Sequence, residues 1–124
     1  MNITQEILSD IVVYNKYAKY LPTKQRRETW EELVTRNKEM HQSKFPDLKE
    51  EIEEVYELVY DKKVLPSMRS LQFAGKPIDI NNSRIFNCSY LPIDDWRSFS
   101  EIMFLLLSGC GVGYSVQKHH IEKL

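Results

Sequence analysis

The side chains that could do covalent chemistry are two cysteines, Cys88 and Cys110, and three histidines, His41, His119 and His120. Cys88 lies in Asn87-Cys88-Ser89-Tyr90, a stretch that alternates like a strand. A strand cysteine is either a small buried hydrophobe or a thiol presented to a ligand. Alternation sets Asn87 and Ser89 on one face and Cys88 with Tyr90 on the other, which leaves both readings open. Cys110 sits in Gly109-Cys110-Gly111-Val112-Gly113, where glycines let the backbone approach a ligand or a neighbouring element. That run has the order helix then strand and lacks the third glycine of the dinucleotide fingerprint, so it reads as a tight helix end with Cys110 as packing. Ser70 follows Arg69 ahead of a glycine turn at Gly75, where a hydroxyl is an ordinary turn or cap group. His119 and His120 are neighbours; in extended chain they face opposite ways, so they form no chelating pair and are expected in solvent. The cysteines have neither CxxC nor zinc spacing, and no metal site is expected.

The elements that must hold these residues fall into two halves. From Ile3 to Tyr20 apolar and aromatic residues mix without a clean period, which suggests short irregular or helical pieces. Thr23 is placed to cap a helix carrying Trp30, Leu33, Val34 and Asn37 at helical spacing, and Pro46 ends it. Asp47, with Glu50 three residues on, suggests a capping box for a second helix whose stripe is Ile52, Val55, Tyr56 and Val59. Trp30, Leu33, Val34, Ile52, Val55 and Tyr56 are therefore expected in one helix–helix core, with the acidic run Glu50 to Glu54 as its solvated face. Pro66 closes this half. In the second half, Arg84 to Tyr90 is expected as a strand. Asp94 or Asp95 caps a helix that turns Trp96, Phe99, Ile102, Met103 and Leu106 inward, is apolar nearly all round near its end, and should be buried. It stops at Gly109, and Val112 to Gln117 forms a further strand. A strand–helix–strand order is the unit of a parallel or barrel sheet. Two strands and one helix cannot cover both faces of such a sheet, so the remainder is expected from another chain, or else the edge is left ragged.

Bulk properties set limits on partners and place. With 124 residues, 42% hydrophobic and 28% charged, the chain has the composition of a folded domain or part of one. A formal net charge of -1 argues against a basic nucleic-acid-binding surface, yet leaves room for a nucleotide pocket that needs only a few donors. The longest apolar run, Ile102 to Leu107, is far short of a membrane span, and Met1 to Asp10 shows no secretory signal. A cytoplasmic location with reduced thiols is the expectation.

Taken in order, four segments resemble ribonucleotide reductase: Arg26-Arg27-Glu28-Thr29-Trp30-Glu31-Glu32; Pro66-Ser67-Met68-Arg69-Ser70-Leu71 with Gly75; Asn87-Cys88; and Ser108 to Gly113. The RRETW helix and the MRSL turn followed by Ala74-Gly75 are more typical of the adenosylcobalamin-dependent (class II) triphosphate reductases than of class I large subunits. The likeness extends over nearly all of the chain from about Tyr14.

That resemblance implies an α/β fold, a ten-stranded barrel around a finger loop. This chain would supply the N-terminal helical region (1–65) and the start of the barrel (66–124), incomplete by itself. It implies that Cys88 is one of two redox-active thiols and that Ser70, Asn87, Cys88 and Gly111 line the substrate site. The partner cysteine, the radical cysteine and the catalytic carboxylate belong to later family segments, and Cys110 matches no family redox position. The implied activity is thiyl-radical reduction of ribonucleoside triphosphates to deoxyribonucleotides, absent without the rest of the barrel. The implied partners are that C-terminal remainder as a separate chain and a thioredoxin-type reductant. Adenosylcobalamin would be bound mainly by regions outside this chain; no membrane or direct nucleic-acid binding is implied. The alternatives are a non-catalytic nucleotide-binding or interaction module, and a fragment of a class I large subunit.

Overall fold

A computed structural model of the chain describes residues 3–124. It is mixed α/β, mostly helical with short strands, and forms two compact units, one ending at Gly75 and the other running from Lys76 to Leu124. The expected boundary at 65/66 falls inside the first unit, because α4 (Met68–Phe73) buries Leu71 against Val13 and Leu33.

The first unit begins with α1 (Ile3–Lys16), one continuous helix where shorter pieces were expected. Its period is obscured because Val13 is buried while Ile3, Ile7, Ile11 and Tyr14 face outward. An antiparallel hairpin follows, β1 (Tyr20–Leu21) with β2 (Arg26–Arg27), turning through Gln25 at φ +51°. Arg26 and Arg27 thus precede the helix instead of belonging to it. The cap of α2 (Trp30–Lys44) is Thr29, not Thr23: Thr29 Oγ1 accepts from Glu32 N at 3.3 Å, and Glu32 Oε2 accepts from Thr29 N at 2.9 Å. The reason is reciprocity. Thr23 has Arg26 three residues on, which offers no acceptor, whereas Thr29 has Glu32. Arg26 donates to both Glu32 oxygens, at 2.7 and 2.9 Å, and with Lys24 holds that carboxyl far below the usual carboxylate range.

Pro46 does end α2, but it starts a short 3-10 turn, Pro46–Leu48, that takes up Asp47. Helix α3 (Lys49–Tyr60) then begins after Leu48 with no side-chain cap, so the expected Asp47–Glu50 box does not form. The expected single core is in fact two. Leu33 packs with Val13 and Leu71, flanked by Tyr17 and Met68; Val34 packs with Tyr56 and Val59, flanked by Ile52 and Tyr60. Adjacent helical residues point about 100° apart, so Leu33 and Val34 face different neighbours. Trp30 touches both clusters and donates from Nε1 to the Tyr60 carbonyl at 3.0 Å. Val55, at 51% exposure, lies outside either cluster.

Polar groups buried here are matched. Asn37 donates to Ser70 Oγ at 2.8 Å and accepts from the Tyr56 hydroxyl at 2.5 Å; burial, with Tyr60 second, pushes the Tyr56 phenol up to about 12. The buried Glu28 carboxylate takes a two-pronged Arg36 guanidinium at 2.7 and 2.9 Å. Arg36 and Lys19 both donate to the Ala74 carbonyl, at 2.9 and 2.7 Å.

The second unit contains α5 (Lys76–Ile80), a 3-10 turn (Asn82–Ile85), β3 (Cys88–Pro92), α6 (Arg97–Leu107), β4 (Gly111–Ser115) and α7 (Lys118–Ile121). The strand expected from Arg84 starts only at Cys88, because Asn81 Oδ1 accepts from Ser83 N at 3.1 Å and winds the preceding residues into the 3-10 turn. The strand–helix–strand expectation holds: β3 and β4 are parallel, in register Cys88↔Gly111, Ser89↔Val112, Tyr90↔Gly113, Leu91↔Tyr114, Pro92↔Ser115. Asp95 Oδ1 accepts from Arg97 N at 2.7 Å, which holds its carboxyl below the usual range.

Two further expectations fail in this unit. Helix α6 is not buried: Ser98 is its buried residue, Ile102 and Leu105 are half-buried, and Phe99, Met103, Phe104, Leu106 and Leu107 are exposed. A single crossover helix can set only one stripe against two strands, so an all-round apolar helix leaves the rest outside. His119 and His120 lie in α7 and not on a strand; their rings are 3.9 Å apart, and His120 is half-buried with Nδ1 3.0 Å from Ser115 Oγ. No helix among the described residues is long and apolar enough to cross a membrane.

Candidate functional site

The β3–β4 register settles which face each cysteine occupies. Cys88 is an exposed free thiol at the start of β3, directly across from Gly111. Strand alternation puts Tyr90 on the same face, across from Gly113, and all four residues are exposed. Cys110 is buried, and its Sγ lies 3.4 Å from Ser89 Oγ and 3.7 Å from the Gly111 carbonyl. Ser89 belongs to the opposite face of β3, so the two thiols are turned away from each other. Disulfide geometry needs Cβ atoms about 4 Å apart with converging bonds. Cys110 has the surroundings of a packing residue.

The glycines opposite Cys88 have a specific character. A Cβ on Gly111 would meet the Asn87 carbonyl at 3.5 Å, and one on Gly113 would meet Tyr90 Cδ2 at 3.7 Å. Both are ordinary van der Waals distances, so this unit's own packing would accept alanine at either position. The bare backbone there leaves a low floor beside the thiol. Asn87 is tied to that floor, its carbonyl accepting from Gly111 N at 2.8 Å.

Asn87, Cys88 and Gly111 are therefore neighbours in the second unit. Ser70 belongs to the first, where it is 4% exposed and its hydroxyl accepts from Asn37. Tyr90 and Gly113 were not singled out from the sequence; the signal for Tyr90 was the alternation that already grouped it with Cys88. The buried Glu28–Arg36 pair had no local signal, since its partners are eight residues apart across a helix start. Among the described residues no group of three or more His, Cys, Asp or Glu could hold a metal ion.

No protein-family model matches the chain. Among curated proteins it is 29% identical, over 149 residues, to the adenosylcobalamin-dependent ribonucleoside-triphosphate reductase of Lacticaseibacillus paracasei, covering 91% of this chain and 20% of that protein. The enzyme of the same name from Lactobacillus leichmannii is 29% identical over 148 residues with the same coverage. Among solved structures, a crystal structure of B-12 dependent (class II) ribonucleotide reductase superposes with a TM-score of 0.80 at 26% identity, covering 92% of this chain and 20% of that one. The chain is similar to a segment of class II ribonucleotide reductase. It spans about a fifth of the length of those reductases.

The cofactor in the reductases' name sets a test for the residues present. A cleft of the first unit holds about 540 Å³ and is lined by Glu6, Asp10, Glu31 and Asp61 beside Trp30 and Tyr60. That is the scale of a drug-sized ligand, and its wall is acidic. The cleft does not fit a corrinoid.

Proposed function

We propose that this chain is the N-terminal part of a class II ribonucleotide reductase, whose later segments supply the rest of an α/β barrel. The observation that carries this reading is Cys88: a reduced, exposed thiol on a parallel strand pair, next to Asn87 and opposite Gly111, within a segment that superposes on a class II reductase. In that enzyme Cys88 acts with a cysteine of a later segment, and Asn87 and Gly111 contribute to the substrate site. Adenosylcobalamin would be held by segments of the reductase outside this chain and would supply the radical. The two thiols deliver two electrons and two hydrogens: the 2′ carbon–oxygen bond of the ribonucleoside triphosphate breaks, a carbon–hydrogen bond takes its place, water leaves, and the thiols become a disulfide. A thioredoxin-type reductant returns the disulfide to thiols in the cytoplasm.

Complementation tests the reading. The chain alone should not reduce nucleotides; together with the polypeptide encoding the barrel remainder it should, in a cobalamin-dependent way. Cys88→Ser should abolish multiple turnover while nucleotide still binds, because serine keeps the polar shape and cannot store electrons in a disulfide. Cys110→Ser should lose activity only as far as it loses stability. Normal turnover by Cys88→Ser would overturn the assignment.

A further inference from the structure

We propose that Tyr90 is a substrate-contacting residue of this site, its ring forming the wall of a glycine-floored groove whose other end is the Cys88 thiol. The inference deepens the reductase reading and rests on it. Three observations support it. Tyr90 shares a face with Cys88, two residues further along β3, and is 64% exposed. Its ring lies against Gly113, with Cδ2 3.7 Å from where a Cβ would stand. Neither Gly111 nor Gly113 is forced to be glycine by positive φ or by crowding within the unit, so the open strip between thiol and ring is not explained by this unit's own packing.

The dimensions suit a nucleoside. Two residues along a strand is about 6.6 Å, so a ribose held at the Cys88 thiol puts the rest of the nucleoside within reach of the Tyr90 ring. The flat backbone floor at Gly111 and Gly113 permits close approach. An aromatic face offers dispersion and stacking to a sugar or base and nothing to a phosphate, which directs the nucleoside end toward Tyr90.

The test compares Tyr90→Ala, Tyr90→Phe and Cys88→Ser in the complemented enzyme, with KM and kcat measured for each of the four ribonucleoside triphosphates. Removing the ring should raise KM about ten-fold, the scale of a lost aromatic stacking contact, with a smaller change in kcat. Tyr90→Phe should restore the wild-type KM, since the contact is the ring and not the phenol. Nucleotide should also protect Cys88 from iodoacetamide in the wild type and less so in Tyr90→Ala. An unchanged KM and unchanged protection in Tyr90→Ala would overturn the proposal. So would a variant that fails to associate with the complementing chain, which would make Tyr90 a packing residue. Cys88→Ser separates the two readings: if it is dead while Tyr90→Ala is normal, only Tyr90 is misassigned; if it is active, the reductase reading itself falls.

Discussion

The two units differ in what they do with their apolar side chains. In the first, helix α2 is covered by α3 on one side and by α4 on another, Leu33 and Val34 are fully buried, and Asn37, Ser70 and Glu28 find partners inside. In the second, α6 packs one narrow stripe and leaves Phe99, Met103, Phe104 and Leu107 exposed. Parallel strands in folded proteins have both faces covered, and here β3 and β4 have one crossover helix between them. The contrast is one of content: the first unit has the residues to make its own core, while the second leaves a thiol, a strand face and most of an apolar helix exposed.

The sharpest way to break that contrast is to cut into each apolar set. Leu33→Ala should cost about 2–5 kcal/mol, because the side chain is fully buried and its neighbours Val13 and Leu71 can only partly collapse on the cavity. Leu107→Ser should change stability by less than about 0.5 kcal/mol, and should reduce self-association, since Leu107 is 81% exposed on an apolar patch. Urea unfolding and sedimentation of both variants decide the matter. A large cost at Leu107 with a small one at Leu33 would reverse the assignment of roles.

A smaller effect tests why the first unit starts its helix where it does. Thr29→Ala should cost about 1 kcal/mol by opening the capping box, whereas Thr23→Ala, in the hairpin turn, should be close to neutral. Equal costs would mean that Glu32 owes its position to Arg26 and Lys24 alone.

That same pair of threonines shows how far the sequence could be read. The helical stripe through Trp30, Leu33 and Val34 was visible because period alone marks a helix. Its start was misplaced because a threonine before a stripe is a cap only if the residue three on can reciprocate. The strand–helix–strand order around Cys88 was legible for the same reason, and with it the face shared by Cys88 and Tyr90. Burial of α6 was not: hydrophobicity says that a surface seeks cover, and not whether this unit contains it. Ser70 and Asn37 meet across 33 positions, a pairing that only the packing of α4 on α2 creates.

The smallest expected effect is one of pH, and it belongs to the first unit. His41, near the end of α2, is half-buried beside the Tyr56 ring, with centroids 6.3 Å apart, and Phe45, Leu48, Glu51, Ile52 and Val55 line the same groove. Burial, helped by the nearby Lys44 charge, lowers its pKa from the ordinary value of 6.5. The sign follows from proton binding: below that value the unfolded chain takes up a proton more readily than the folded one, so acid favours unfolding. The stabilising difference is complete above about pH 6.5 and is lost as pH falls through the lower, folded-state pKa. Glu51 across the groove is the one carboxylate lining it, and the lowered direction means that it does not outweigh burial and Lys44. His41→Gln removes the titration and keeps a side chain of similar reach, so it should flatten the stability slope between pH 7 and 5 relative to wild type. The comparison is made by urea unfolding followed at Trp30 in a Trp96→Phe background, which confines the signal to the first unit. An unchanged slope in His41→Gln would place the acid sensitivity elsewhere, and a slope of opposite sign in the wild type would show that His41 is held as a cation.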